Sequence, residues 1–232
     1  MAPRLPALAL LAALAAGCAG PALSVREGLE RSDLQARLAA RAAAMLGEGR
    51  ERFVVGREAF NPDCSGFVEA VYAAEGISLR RVLQAAAPRE TSAVAAAWEA
   101  AGRFGERWRG GEWPAPGDLV FFDDTWDRNG NGRRDDPLTH VGVVEFVEPS
   151  GTVHFLHRGG KGVTRGFLTP GRPGEARDEA GRTLNSPLRV LAGPDDRSPA
   201  LAGQLLVGFG RIDPWRVPGG ALREDVRAAV AP

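Results

Sequence analysis

The spacing of apolar residues changes period part-way along the chain. From Ser32, the residues Leu34, Leu38, Ala42 and Met45 return on one helical face, Ser32 and Gln35 form a capping box, and Gly47 marks a stop. That pattern predicts an amphipathic helix of three to four turns. Phe53-Val54-Val55-Gly56 is a short apolar run, and Phe67, Val68, Val71 and Tyr72 predict a second helix from Cys64 to about Glu75, ended by Gly76. A third, alanine-rich helix with Val94 and Trp98 is expected over residues 92–101, ended by Gly102. Beyond Pro114-Ala115-Pro116-Gly117 the pattern becomes that of strands, at residues 118–122, 140–147, 152–157 and 162–168. The break Pro149-Ser150-Gly151 joins the middle pair as a hairpin. Residues 170–198, polar and rich in Gly, Pro, Asp and Arg, read as a long surface excursion before a last strand at 201–210. Helices first and antiparallel strands afterwards predict an α+β fold, with N-terminal helices packed on a small antiparallel sheet.

The front of the chain follows other rules. Arg4 precedes an apolar stretch from Leu5 to Ala16 that is too short to span a bilayer, and small residues then lead to Cys18. Residues 1–18 are expected to be a signal peptide that resembles a lipobox, with Cys18 carrying the lipid. Leu14 stands one place out of the usual position, which keeps secretion with cleavage near Ala16 or Ala19 open. Residues 19–31 read as a tether, 32–212 as the folded domain, and 213–232 as a tail with a weak terminal helix. Either route takes the protein to the bacterial cell envelope or beyond it.

Composition narrows the function classes. A length of 232 residues suits one domain with extensions, and 29 basic against 29 acidic residues removes the electrostatic case for a nucleic-acid partner. The two cysteines are Cys18 and Cys64, and a lipidated Cys18 cannot form a disulfide. Cys64 is then a lone thiol where a loop becomes a helix, a position whose unpaired N–H groups and dipole favour thiolate. A buried small hydrophobe is the other reading of that residue. His140 opens a strand, His157 lies near the end of the hairpin partner, and alternation turns His154 to the opposite face. An imidazole can take the thiol proton while a second polar group orients it; the alternative is a pair of half-exposed strand histidines.

Asp63-Cys64-Ser65-Gly66-Phe67-Val68, then residues 116–122 (Pro-Gly-Asp-Leu-Val-Phe-Phe), then His140-Val141-Gly142-Val143-Val144 resemble, in that order, the NlpC-type cell-wall cysteine peptidases. Phe155-Leu156-His157 and the following Gly159-Gly160-Lys161-Gly162-Val163 resemble that family's next block, and residues 140–145 with their hairpin are also similar to the related CHAP amidases and peptidases. The resemblance covers residues 53–168. It implies a papain-like α+β domain in which Cys64 is the nucleophile, His140 the base and His157 the orienting residue. Asp63 and Ser65 would line the pocket near the free amine of a stem peptide, with the oxyanion at the start of the Cys64 helix. The expected activity is cleavage of peptide or amide bonds in peptidoglycan, with no cofactor for catalysis. The alternatives are an inactive, calcium-stabilised envelope binding module, and an amidase or acyl transferase acting on another envelope substrate. A tyrosine common in the family's preceding loop is missing from Phe53-Val54-Val55-Gly56.

An insertion separates the strand ending at Phe122 from His140. Within it, Asp127, Asn129, Asn131 and Asp135 occupy positions one, three, five and nine of a loop, with Gly132 at six and Arg133 at seven. This is the layout of a calcium loop, except that Leu138 stands where an EF-hand has glutamate. The expected ligands of a structural Ca²⁺ are therefore Asp127, Asn129, Asn131, Arg133 and Asp135; a solvated polar turn is the competing reading. The five tryptophans are scattered and read as core and rim packing rather than as a glycan platform.

Overall fold

The structure, a computed structural model, describes residues 25–48, 51–89, 91–189, 191 and 198–222, and of residues 25–32 only the backbone. The signal segment, Cys18 and the chain beyond residue 222 lie outside the described residues. The chain divides into two units, Met1–Ser32 and Asp33–Pro232, and everything that follows concerns the second apart from the first turns of one helix. Among the described residues, no helix is long and apolar enough to cross a membrane.

Helices α1 (Val25–Ala44), α2 (Cys64–Ala74), α3 (Leu79–Ala86) and α4 (Ala93–Phe104) precede most of the strands. A hairpin of β1 (Phe53–Val55) and β2 (Glu58–Phe60) lies between α1 and α2. The main sheet is antiparallel, six-stranded and ordered β3-β8-β4-β5-β6-β7. Its strands are β3 (Gly105–Trp108), β4 (Leu119–Phe122), β5 (His140–Val147), β6 (Val153–Gly159), β7 (Gly162–Leu168) and β8 (Leu206–Ile212). A short helix, α5 (Ala202–Leu205), leads into β8. The expected α+β class is what the structure has.

Both faces of the sheet are covered, which explains the unbroken apolar run of β4. Leu119, Phe121, Val141, Val143 and Leu156 share a core with the helices, in which Phe67, Val71 and Tyr72 of α2 are all buried. Val120, Phe122, Val144, Phe155 and Phe209 share the other core with Ala202 and Leu205. Asp118, with a fully buried side chain, accepts two bonds from Arg211 of β8 at 2.8 and 2.9 Å. That pair ties the start of β4 to its neighbour, and Asp118 also accepts from the backbone N–H of Ala115.

Several boundaries differ from the sequence reading. Residues 25–31, expected to be tether, begin α1, because a capping box is a local signal that does not prevent a helix from starting earlier. α3 was not expected, although Leu79, Val82, Leu83 and Ala86 carry its helical spacing. α4 runs through Gly102 to Phe104. β3 lacks apolar alternation and becomes a strand by pairing with β8. The segment 201–210 is not one strand: its first turn is α5. Residues 170–189 pack more closely than an excursion would. Asn185 is buried, accepts from the N–H of Thr169 at 2.9 Å, and donates to the carbonyls of Arg172 and Glu175.

Candidate active site

Cys64 is the first residue of α2, where Asp63 caps the helix by accepting from the N–H of Gly66 at 2.7 Å. The same carboxylate oxygen accepts from the hydroxyl of Ser65 at 2.8 Å. Asp63 and Ser65 thus have structural work at the helix start, and both also line the cleft in which Cys64 opens. The backbone N–H groups of Val141, the residue after His140, and of Ser65 and Cys64 favour negative charge on the sulfur. Cys64 is held against the strand that carries His140.

His140 and His157 reach one another through the register of β5 and β6. Val143 pairs with Leu156, so the next step sets Gly142 beside His157, with His140 two residues further along the same face. Nε2 of His140 lies 2.9 Å from Nδ1 of His157, with the rings edge-on at 84°. His154 faces elsewhere, stacked on Phe146 and bonded to Glu148 at 2.6 Å.

The electrostatics correct the expectation of a resting thiolate. Burial pushes the Cys64 thiol up to about 11; the N–H of Val141 opposes this and the Asp63 carboxylate adds to it. His140 is pushed down to about 3, first by burial and then by His157, and burial pushes His157 down to about 4. Removing a charge from water outweighs the pull of a few N–H dipoles here, so thiol and imidazoles are all neutral before a substrate enters.

The cleft has a volume of about 1070 Å³ and holds Asp63, Cys64, Ser65, His140 and His157 together. Residues 56–159 match the CHAP domain. CHAP domains are generally cysteine hydrolases and amidases of peptidoglycan, related to NlpC and papain-like families, and the matched span includes Cys64, His140 and His157. No curated protein and no solved structure gave a significant match.

The insertion forms a closed loop next to His140. Its stem is buried: the N–H of Thr125 and its hydroxyl both meet Oγ1 of Thr139 at 2.9 Å, and the N–H of Asp124 donates to the carbonyl of Asp136. Asp124 and Leu138 flank it with φ of 50° and 51°, a left-handed geometry uncommon outside glycine. At the tip, Asp127 accepts from the N–H groups of Gly130, Asn131 and Gly132, and the amides of Asn129 and Asn131 both donate to Asp135. Four of the five expected calcium ligands therefore converge, and turning the two amides would present oxygens. Leu138 donates its N–H to Asp123 and supplies no twelfth-position carboxylate. Among the described residues, no group of three or more His, Cys, Asp or Glu stands where it could hold a metal. The donor set, carboxylate and amide oxygens, has the chemistry of a calcium site and not of a transition-metal site.

Sequence reasoning missed part of the cleft. Val141 acts through its backbone, which no residue type announces. Trp126 and Arg189 also line the cleft, the latter from a run whose composition signals only loop.

Proposed function

We propose that the chain is an exported cysteine hydrolase that cleaves peptide or amide bonds in peptidoglycan, with a papain-like arrangement of Cys64, His140 and His157. The 2.9 Å contact between the two histidines, in the cleft of Cys64 and inside the CHAP match, carries this reading. With Nε2 of His140 engaged by His157, Nδ1 is the nitrogen left for the thiol. The sulfur attacks the carbonyl carbon as its proton passes to Nδ1, and negative charge develops on the carbonyl oxygen at the start of α2. Collapse expels the amine, which takes the proton from His140 and leaves a thioester. Water, deprotonated by the same nitrogen, then releases the carboxylic acid and restores the thiol. Because His157 is neutral, it steadies the imidazolium by accepting its Nε2–H rather than by charge. Incubating purified protein with peptidoglycan fragments and weighing the products tests the activity. Cys64→Ala and His140→Ala should each abolish release, and turnover surviving Cys64→Ala would remove the assignment.

We propose further that Asp127, Asn129, Asn131 and Asp135, with the backbone carbonyl of Arg133, hold a structural calcium ion. Hard oxygen ligands give the ion no part in thiol chemistry, so it serves to fix the loop leading to His140. Lipidation at Cys18 would place the enzyme on an envelope membrane. Mass analysis of the mature amino terminus tests it: an unmodified start elsewhere would leave a secreted protein.

A further inference from the structure

The cleft is completed by residues 186–189, which lie outside the span matched to the CHAP domain. This segment is fixed at several points. Ser186 exchanges bonds with the backbone of Phe167 at the end of β7, Leu188 donates to the carbonyl of Ala200, and Ala202 donates back to Ser186. Arg189, at the end of that stretch, donates through Nη1 to the carbonyl of Asp124 in the stem of the insertion. A side chain thus links two loops, 65 residues apart in sequence, that both border the cleft.

The charges lining the cleft are unequal: four arginines, Arg128, Arg158, Arg165 and Arg189, face one carboxylate, Asp63. Asp63 is occupied by the N–H of Gly66 and the hydroxyl of Ser65. Arg165 is held by both oxygens of Glu145, Arg128 lies 3.9 Å from Asp136, and Arg158 donates to the carbonyl of Gly159. Arg189 has no carboxylate partner among the described residues, and its bond to a carbonyl fixes the guanidinium without neutralising it. A planar fork with donors to spare, half-buried in the cleft that also holds Cys64, suits two-pronged capture of a carboxylate.

We propose that Arg189 forms a carboxylate subsite and that the substrate is an acidic peptide whose carboxylate lies close to the scissile bond. The inference rests on the hydrolase reading for what is cut and adds which peptides are taken. Arg189 would be a specificity-determining residue: it holds the substrate and does not touch the reacting atoms.

The test uses two synthetic stem peptides identical except that the carboxylate beside the scissile linkage is free in one and a carboxamide in the other. The wild type should prefer the acid at least tenfold in kcat/KM, with the difference in KM rather than kcat. Arg189→Gln should bring that ratio toward one, and Arg189→Lys should keep part of it, with melting temperatures confirming that both variants fold. Equal kcat/KM for the two peptides in the wild type, or a preference that survives in Arg189→Gln, overturns the subsite. Calorimetric binding of the same peptides to Cys64→Ala separates the two claims. If the wild type cleaves neither peptide nor peptidoglycan, the hydrolase reading fails, and binding then decides the subsite alone. Tighter binding of the acid, lost when Arg189→Gln is added, sustains it; equal binding overturns it.

Discussion

A Cβ placed on Gly66 would stand 2.1 Å from the carbonyl oxygen of Asn61 and under 3 Å from its amide nitrogen. The loop entering α2 therefore runs against the backbone of the helix's first turn, and the residue two after Cys64 can carry no side chain without a shift. The obstacle is backbone, which no rotamer change relieves. The approach and the Asp63 cap both act on the turn that carries Cys64.

Gly66→Ala should accordingly move the loop or the helix start. We expect a loss of about 1–3 kcal/mol in stability, of the size of other overpacked sites, and a larger proportional loss of activity. Denaturant melts beside product release measure both. A variant with wild-type activity would show that the contact does not position the thiol.

Alkylation of Cys64 in the free enzyme should climb with pH toward about 11, because burial and the Asp63 carboxylate disfavour the thiolate. Asp63→Asn keeps a good helix cap and removes that charge, so it should speed alkylation at pH 8. A rate already at its plateau between pH 5 and 9 would instead reveal a preformed thiolate–imidazolium pair.

The two histidines also set a pH dependence of stability. Their folded values, about 3 and 4, lie below the ordinary 6.5. Above pH ~6.5 both states hold them neutral; below it the unfolded chain takes protons that the folded chain refuses. Stability is thus full above pH ~6.5 and lost as pH falls toward 4 and 3, by at most about 1.4 kcal/mol per pH unit for each histidine. The double variant His140→Gln/His157→Gln should show a shallower slope between pH 6.5 and 4.5 in urea melts. Equal slopes would mean that neither ring is desolvated.

His157→Ala should retain a fraction of the activity that His140→Ala abolishes, since it orients the base without exchanging the thiol proton. Its loss should fall on kcat rather than KM in steady-state kinetics. A pure KM effect would move His157 from the relay to the substrate pocket.

Calcium should raise the melting temperature over that in chelator, with stabilisation approaching ~2.7 kcal/mol at a hundredfold excess over the dissociation constant. Asp135→Asn should remove the difference while leaving intact the turn that Asp127 caps. Activity should fall only in part with chelator. If melting ignores calcium in the wild type, the loop is a self-bonded polar turn.

By itself the sequence determined what depends on neighbours a few residues apart. The period of 140–147 and 162–168 matched β5 and β7 residue for residue, and strand alternation correctly separated His154 from His157. The helix start at Cys64 was legible because the apolar spacing that follows it is a local signal, while the Asp63 cap emerged only in the structure. Tertiary structure decided whatever needs a partner from far along the chain. β3 is a strand only because β8 supplies its bonds, and Arg189 enters the cleft only because Asn185 and Ser186 fix its loop to β7 and the turns beyond. The state of the thiol reversed for the same reason. A helix dipole can be read from adjacent residues, whereas desolvation is set by everything packed around the sulfur, and here it outweighs the pull of the Val141 N–H.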